Sequence, residues 1–183
     1  MESQQHIDPG AETQTELGDT VQSFFLSPKA PSPHGWIWGA GPVFLLRTGT
    51  IKLLSSEKWG AGPTAVALRQ EGPWTYGLLV NHIWSFAGDS SRSKVNTTFA
   101  EPFLSYTTPT AWTYSMNTES TYDWTTHKAS VPINAGVSKV TKIGSKLVSI
   151  GGELRDWAQG PLSEPKNIGA RITVTLLFPK QVH

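Results

Sequence analysis

The stretch Trp112-Thr113-Tyr114-Ser115-Met116-Asn117-Thr118-Glu119-Ser120-Thr121-Tyr122-Asp123-Trp124 decides the fold class. Its odd-numbered members are all polar: Thr113, Ser115, Asn117, Glu119, Thr121 and Asp123. Its even-numbered members place Trp112 and Tyr114 at one end and Tyr122 and Trp124 at the other. A period of two belongs to an extended strand whose faces meet different surroundings. At ~3.3 Å per residue the stretch spans roughly 40 Å. Tilted by ~40°, it stands about 30 Å high, close to a bilayer core with its aromatic belts. The weak point is the middle, where Thr118 and Ser120 are poor residues to face lipid.

The same alternation recurs along the chain. Ala170, Ile172, Val174, Leu176 and Phe178 share a face against Arg171, Thr173 and Thr175. Val148, Ile150, Gly152 and Leu154 oppose Ser149, Gly151, Glu153 and Arg155, and Val131, Ile133, Ala135 and Val137 oppose Asn134, Gly136 and Ser138. Tyr76, Leu78, Val80 and Trp84 form one face of a further strand, with Asn81 and Ser85 on the other. No run at helical spacing appears beyond residue 20. Nine strands are expected, near 21–27, 36–47, 58–69, 73–86, 95–107, 110–124, 129–141, 146–158 and 167–178. Short turns at 69–73, 107–110 and 142–145 alternate with longer polar connections at 48–57, 87–94 and 159–166, the one at 125–128 being brief. That is the rhythm of an up-and-down barrel, with short turns on one side of a membrane and longer loops on the other. Trp38-Gly39-Ala40-Gly41-Pro42 returns as Trp59-Gly60-Ala61-Gly62-Pro63, which fits neighbouring strands that each need a Gly-mediated bend and a Pro off the ladder.

Composition narrows the function classes. Eight Trp, seven Phe and four Tyr accompany only 16% charged residues and a formal net charge of +1, with Lys and Arg scattered, so a nucleic-acid partner is not expected. Cysteine is absent, which removes disulfides and thiolate metal sites. No apolar run reaches the ~18–20 residues of a membrane-spanning helix. Met1 to Asp19 is polar and acidic and does not read as a secretory signal.

Several motifs, taken in order, resemble one family. They are Gly18-Asp19, Ser23-Phe24-Phe25-Leu26-Ser27-Pro28, the two Trp-Gly-Ala-Gly-Pro pieces, Gly72-Pro73-Trp74, Asn81-His82-Ile83-Trp84-Ser85-Phe86-Ala87-Gly88-Asp89, Pro102-Phe103-Leu104-Ser105-Tyr106 and Leu176-Leu177-Phe178-Pro179-Lys180. Over residues 18–180 the chain resembles bacterial outer-membrane transporters of the phenol meta-pathway degradation type, a family sometimes mislabelled neuromedin U. The resemblance implies an outer-membrane β-barrel with a transport role and supplies no catalytic residues. Its members carry a signal peptide and further strands ahead of the Gly-Asp segment. Residues 1–17 depart from that pattern and are expected to be disordered or foreign, residues 18–180 a C-terminal portion of a larger barrel, and 181–183 a tail.

There is no Gly-x-Ser-x-Gly and no His-x-x-x-His spacing, and Pro63 spoils the one Gly-rich segment, 60–65, that looks like a dinucleotide loop. His82 lies inside an alternating strand, where packing or a belt position is the ordinary role. Asn96-Thr97-Thr98 is a glycosylation sequon by pattern alone. Glu101, Asn117, Glu119, Asp123, Glu153, Arg155 and Arg171 fall opposite the apolar faces. They are candidate lumen-lining residues, either selecting a solute or forming interior ion pairs that plug a narrow barrel. Trp38, Trp59, Trp74, Trp84, Trp112, Tyr114, Tyr122, Trp124 and Phe178 are candidates for aromatic girdles, against ordinary burial in a soluble core.

The expected architecture is therefore an all-β antiparallel meander, a transmembrane β-barrel or incomplete barrel of about 8–9 strands. The expected role is passive passage of small, hydrophobic or aromatic solutes across a bacterial outer membrane. A lipid bilayer and a small solute are the partners, with no cofactor and no enzymatic step. A soluble β-sandwich or small-barrel binding module, and a truncated non-functional fragment, stand as alternatives.

Overall fold

The computed structural model describes residues 18–50, 55–144, 146–159 and 168–178. The expectations for residues 1–17 and 181–183, and most of the connection at 159–166, lie outside the described residues. The alternating segments form β1 (Thr20–Ser23), β2 (Trp36–Leu46), β3 (Lys58–Glu71), β4 (Trp74–Gly88), β5 (Asn96–Thr107), β6 (Trp112–Asn117), β7 (Ser120–Asp123), β8 (Lys128–Ile143), β9 (Lys146–Gln159) and β10 (Gly169–Leu177). They make one ten-stranded antiparallel meander in chain order. β6 and β7 share a single place between β5 and β8, so the ten strands occupy nine positions. Among the described residues no pairing joins β1 to β10, and the sheet has two free edges.

Two expected strands are altered, and proline explains both. The strand expected over 110–124 is split at Thr118 and Glu119. The break lies opposite Pro102 of β5, whose carbonyl accepts from the Thr118 amide at 3.3 Å. In an antiparallel ladder a residue's N–H and C=O point to the same neighbour, so the missing proline N–H removes a bond on that side. The strand expected over 21–27 stops at Ser23 for the same reason. Phe24 donates to the Pro42 carbonyl at 2.9 Å and receives nothing back from that residue, and pairing resumes only at the Leu26–Ala40 bridge. Pro63 and Pro132 mark two further interruptions, and a third, between Trp59 and Gly60 of β3, has no proline at it. Gly62 and Pro63 have no register partners in β4, and the β8–β9 register shifts between Val131 and Pro132.

The turns at one end of the sheet are tight. Gly72 and Pro73 link β3 to β4, and Gly72 has φ +57°. Proline at the second turn position cannot take positive φ, so a type II′ turn follows rather than I′. Gly144 opens the β8–β9 turn with φ +60°. Ala111 closes the β5–β6 turn at φ +62°, a left-handed conformation that costs an L-residue roughly 1 kcal/mol. Ala111→Gly should therefore raise the unfolding free energy by about 1 kcal/mol in a urea titration. The β1–β2 connection is longer than the others at this end.

The opposite, loop end holds the most buried part of the sheet. Val43, Leu45 and Ile83 form a small cluster there, with Val95 packed on it. Beside it Glu57 pairs with Arg47 at 3.1 Å and Arg92 at 3.6 Å. Asp19 ties the start of β1 to the β2–β3 loop. Its carboxylate accepts from the Gly49 amide (3.0 Å), the Ser55 hydroxyl (2.8 Å), and the amide and hydroxyl of Ser56 (2.7 and 2.6 Å). Burial works against the charge. The hydroxyls of Ser56 and Ser55, with the amides of Ser56 and Gly49, outweigh it and hold the carboxyl below its ordinary value. The carboxylate form is thus the one the fold favours. Its contribution is complete above the ordinary carboxylate range and is lost as pH falls through the lowered folded value. Proteolysis of the 47–57 loop should accelerate on acidification in the parent protein, while Asp19→Asn should cut faster at neutral pH and lose much of that acid dependence.

Candidate functional site

Strict alternation and the observed register sort the side chains onto two unlike faces. The directly opposed pairs Trp36–Arg69, Tyr76–Leu104, Tyr106–Tyr114, Val137–Gly152 and Ile172–Gly152 trace one face from β2 to β10. Near the tight turns this face carries an aromatic row. Trp36 meets Tyr76 edge-on at 5.9 Å, Trp74 meets Tyr106 at 4.8 Å, and Lys139 Nζ lies 4.9 Å from the Trp112 ring centre. Near the loops it carries a second row, with Trp59, Trp84, Tyr122 and Trp124, where the last two meet at 4.8 Å. From Trp74 to Trp84 along β4 is roughly 33 Å, or about 25 Å of height at a ~40° tilt. Between the rows lie Ala65, Leu78, Val80, Ala100, Leu104, Met116, Ala135, Val137 and Ile150. The charges on this face, Arg69, Glu71, Lys139, Lys146 and Asp156, all sit within a few residues of a strand end.

One polar group interrupts the loop-end row and is internally satisfied. His82 contacts the Thr98 hydroxyl at 2.7 Å through Nδ1 and Asn96 Oδ1 at 3.0 Å through Nε2. Trp124 Nε1 donates to the same Thr98 oxygen at 2.8 Å, and the Trp84 ring meets the imidazole at 4.1 Å, tilted by 47°. Asn96 Oδ1 can only accept, so in the neutral imidazole Nε2 carries the proton and Nδ1 accepts from the Thr98 hydroxyl. Both imidazole nitrogens and the Trp124 N–H thereby have partners.

The other face holds the seven candidate lumen residues, and the structure gathers six of them into three groups. Asn117 donates to Glu101 Oε1 at 2.7 Å. Arg155 pairs with Glu119, donates through Nε to Asn134 Oδ1 at 2.7 Å, and lies 5.7 Å from the Trp157 ring centre. Arg171 Nη1 approaches Glu153 Oε1 at 3.5 Å. Asp123 is on the same face but is spent locally. It accepts from the Thr125 amide at 2.8 Å and the Thr126 hydroxyl at 2.9 Å, closing the β7–β8 turn. Asn134 is the residue that sequence reading missed. It is 1% exposed, and its Nδ2 has no hydrogen-bond partner. Its polar place between Ile133 and Ala135 in an alternating strand was the available signal.

Beyond this ladder the face is small and hydroxylated. Gly136 and Gly151 floor a hollow of about 200 Å³ walled by Ser115, Ser138, Ser149, Thr173 and Glu153. The nine girdle candidates lie on the aromatic face or, for Phe178, directly after β10 in its alternation, and Trp38 sits one pair inward of Trp36. Among the described residues no three His, Asp or Glu side chains converge as a metal site. Arrangements of this kind can order a polar solute or hold a wall rigid. No family model, curated protein or solved structure matches the chain.

Proposed function

We propose that this chain is a wall segment of an outer-membrane type β-barrel, which forms the passage for small solutes only together with further strands. The observation that carries the reading is the separation of faces. One is apolar and bounded by two aromatic rows about 25 Å apart, the height of the outward band of such barrels. The other bears the charges and hydroxyls that would line a lumen. On this reading the aromatic rows sit at the two headgroup levels, the Glu–Arg groups stiffen and polarise the lumen, and passage is passive. The motif string resembling transporters of the phenol meta-pathway type agrees with it, and with hydrophobic or aromatic solutes. Parity among the described strands supports an incomplete wall. With nine antiparallel positions, β1 and β10 run in the same direction, whereas bacterial single-chain barrels have an even number of strands.

A binding module working in water is the second reading. What favours it is the polar patch of His82, Asn96, Thr98 and Ser120 on the otherwise apolar face. Flotation with lipid vesicles separates the two. A membrane wall floats with vesicles, and brominated lipids quench its tryptophans most strongly when the bromine lies near the headgroups. Protein that stays in the aqueous fraction without detergent, unquenched, would overturn the proposal.

A further inference from the structure

β10 ends the sheet with its outer backbone edge unpaired among the described residues. Resting on the wall reading above, we infer that this edge docks an antiparallel partner strand that is apolar on the side of Ile172 and Val174 and carries a carboxylate opposite Arg171. Three observations converge on that chemistry.

The first is the edge itself. Unpaired N–H and C=O groups within a bilayer have no water to bond, so a strand at that depth demands a partner. Ile172 is 83% exposed, and Val174, Leu176 and Phe178 are exposed with it, so a partner strand gains apolar contact along one side. The second is charge. Acid and base alternate across the inner face, Glu119 facing Arg155 and Glu153 facing Arg171. Arg171 terminates the series with a side chain 56% exposed, touching Glu153 through Nη1 at 3.5 Å. A carboxylate on the next strand would continue the alternation and use the guanidinium's open side. The third is direction. Among the described residues the edge strands are β1 and β10, and they run the same way. A second copy inserted in the same sense offers only parallel edges, so it cannot extend this antiparallel ladder.

The test uses the full chain in detergent micelles and two fluorescein-labelled peptides of about ten residues. Both alternate Val and Thr; one carries Glu at the central Thr position, the other Lys. The Glu peptide should bind about fivefold more tightly than the Lys peptide, and Arg171→Glu should invert the order. The comparison on the parent protein requires no variant, so a poorly folding Arg171→Glu does not weaken it. Equal binding of the two peptides, or none, overturns the proposal. So does efficient disulfide-linked dimer formation by Thr173→Cys under mild oxidation, which would put a second copy at the edge. Vesicle flotation of the same sample keeps the two readings apart. Protein that floats but ignores the peptides sinks the edge assignment alone, while protein that does not float sinks the wall and the edge with it.

Discussion

Leu78→Arg should destabilise the vesicle-inserted protein by about 2–4 kcal/mol, read as a fall in the urea midpoint of folding into lipid. Leu78 sits midway between the two aromatic rows, beside Ala67 and Pro102 on the neighbouring strands, and is 45% exposed. In water, an arginine at so open a site costs little, on the order of 0.5 kcal/mol. In hydrocarbon the guanidinium loses its hydration with no acid nearby on that face. The size of the effect therefore reports the solvent and not the packing. Ser115→Arg makes the control. Its side chain enters the hollow on the opposite face, near Glu153, and should change stability by no more than about 0.5 kcal/mol. Equal, small costs at both positions would mean that the apolar face meets water.

The strands could be read from the residues because each has unlike faces. Alternation marks the boundary between two environments, and it placed 36–47, 58–69 and 146–158 within two residues of Trp36–Leu46, Lys58–Glu71 and Lys146–Gln159. Alternation reports side-chain direction, however, and hydrogen bonding can fail without disturbing it. That is why the segment from Trp112 to Trp124 looked unbroken. Its faces continue through Thr118 and Glu119, while the ladder stops because a residue in another strand, Pro102, has no N–H to offer. The inner-face groups were legible in the same limited way. Parity put Glu119, Arg155, Glu153 and Arg171 on one face, but their pairing depends on register across three strands, and Asn134 becomes central only through that register. Asp123 shares the face yet serves a turn, since its short side chain finds the amides of Thr125 and Thr126 first.

The same proline logic gives the repeated Trp-Gly-Ala-Gly-Pro segment a physical reason and a second large effect: Gly62→Ala should destabilise the sheet by about 3 kcal/mol. Pro42 and Pro63 stand opposite each other in β2 and β3, each facing outward from that pair, towards β1 and β4. The neighbouring strand's carbonyl finds no donor at the proline and leans over the residue before it. A Cβ on Gly62 would fall inside contact distance of the His82 backbone oxygen, and one on Gly41 would meet the Phe24 backbone oxygen in the same way. Backbone cannot rotate aside as a side chain can, so the methyl group must push β3 from β4 at the point where their register is already interrupted. Gly152 provides the contrast. A Cβ there meets nothing within 4 Å, so Gly152→Ala should be neutral to within about 0.5 kcal/mol. Because His82 supplies the obstructing carbonyl, Gly62→Ala should also disturb the hydrogen bonds of its ring, visible as a changed imidazole ¹⁵N spectrum. A Gly62→Ala protein as stable as the parent, with that spectrum unaltered, would show that the close approach of β3 and β4 is not set by the missing proline donor.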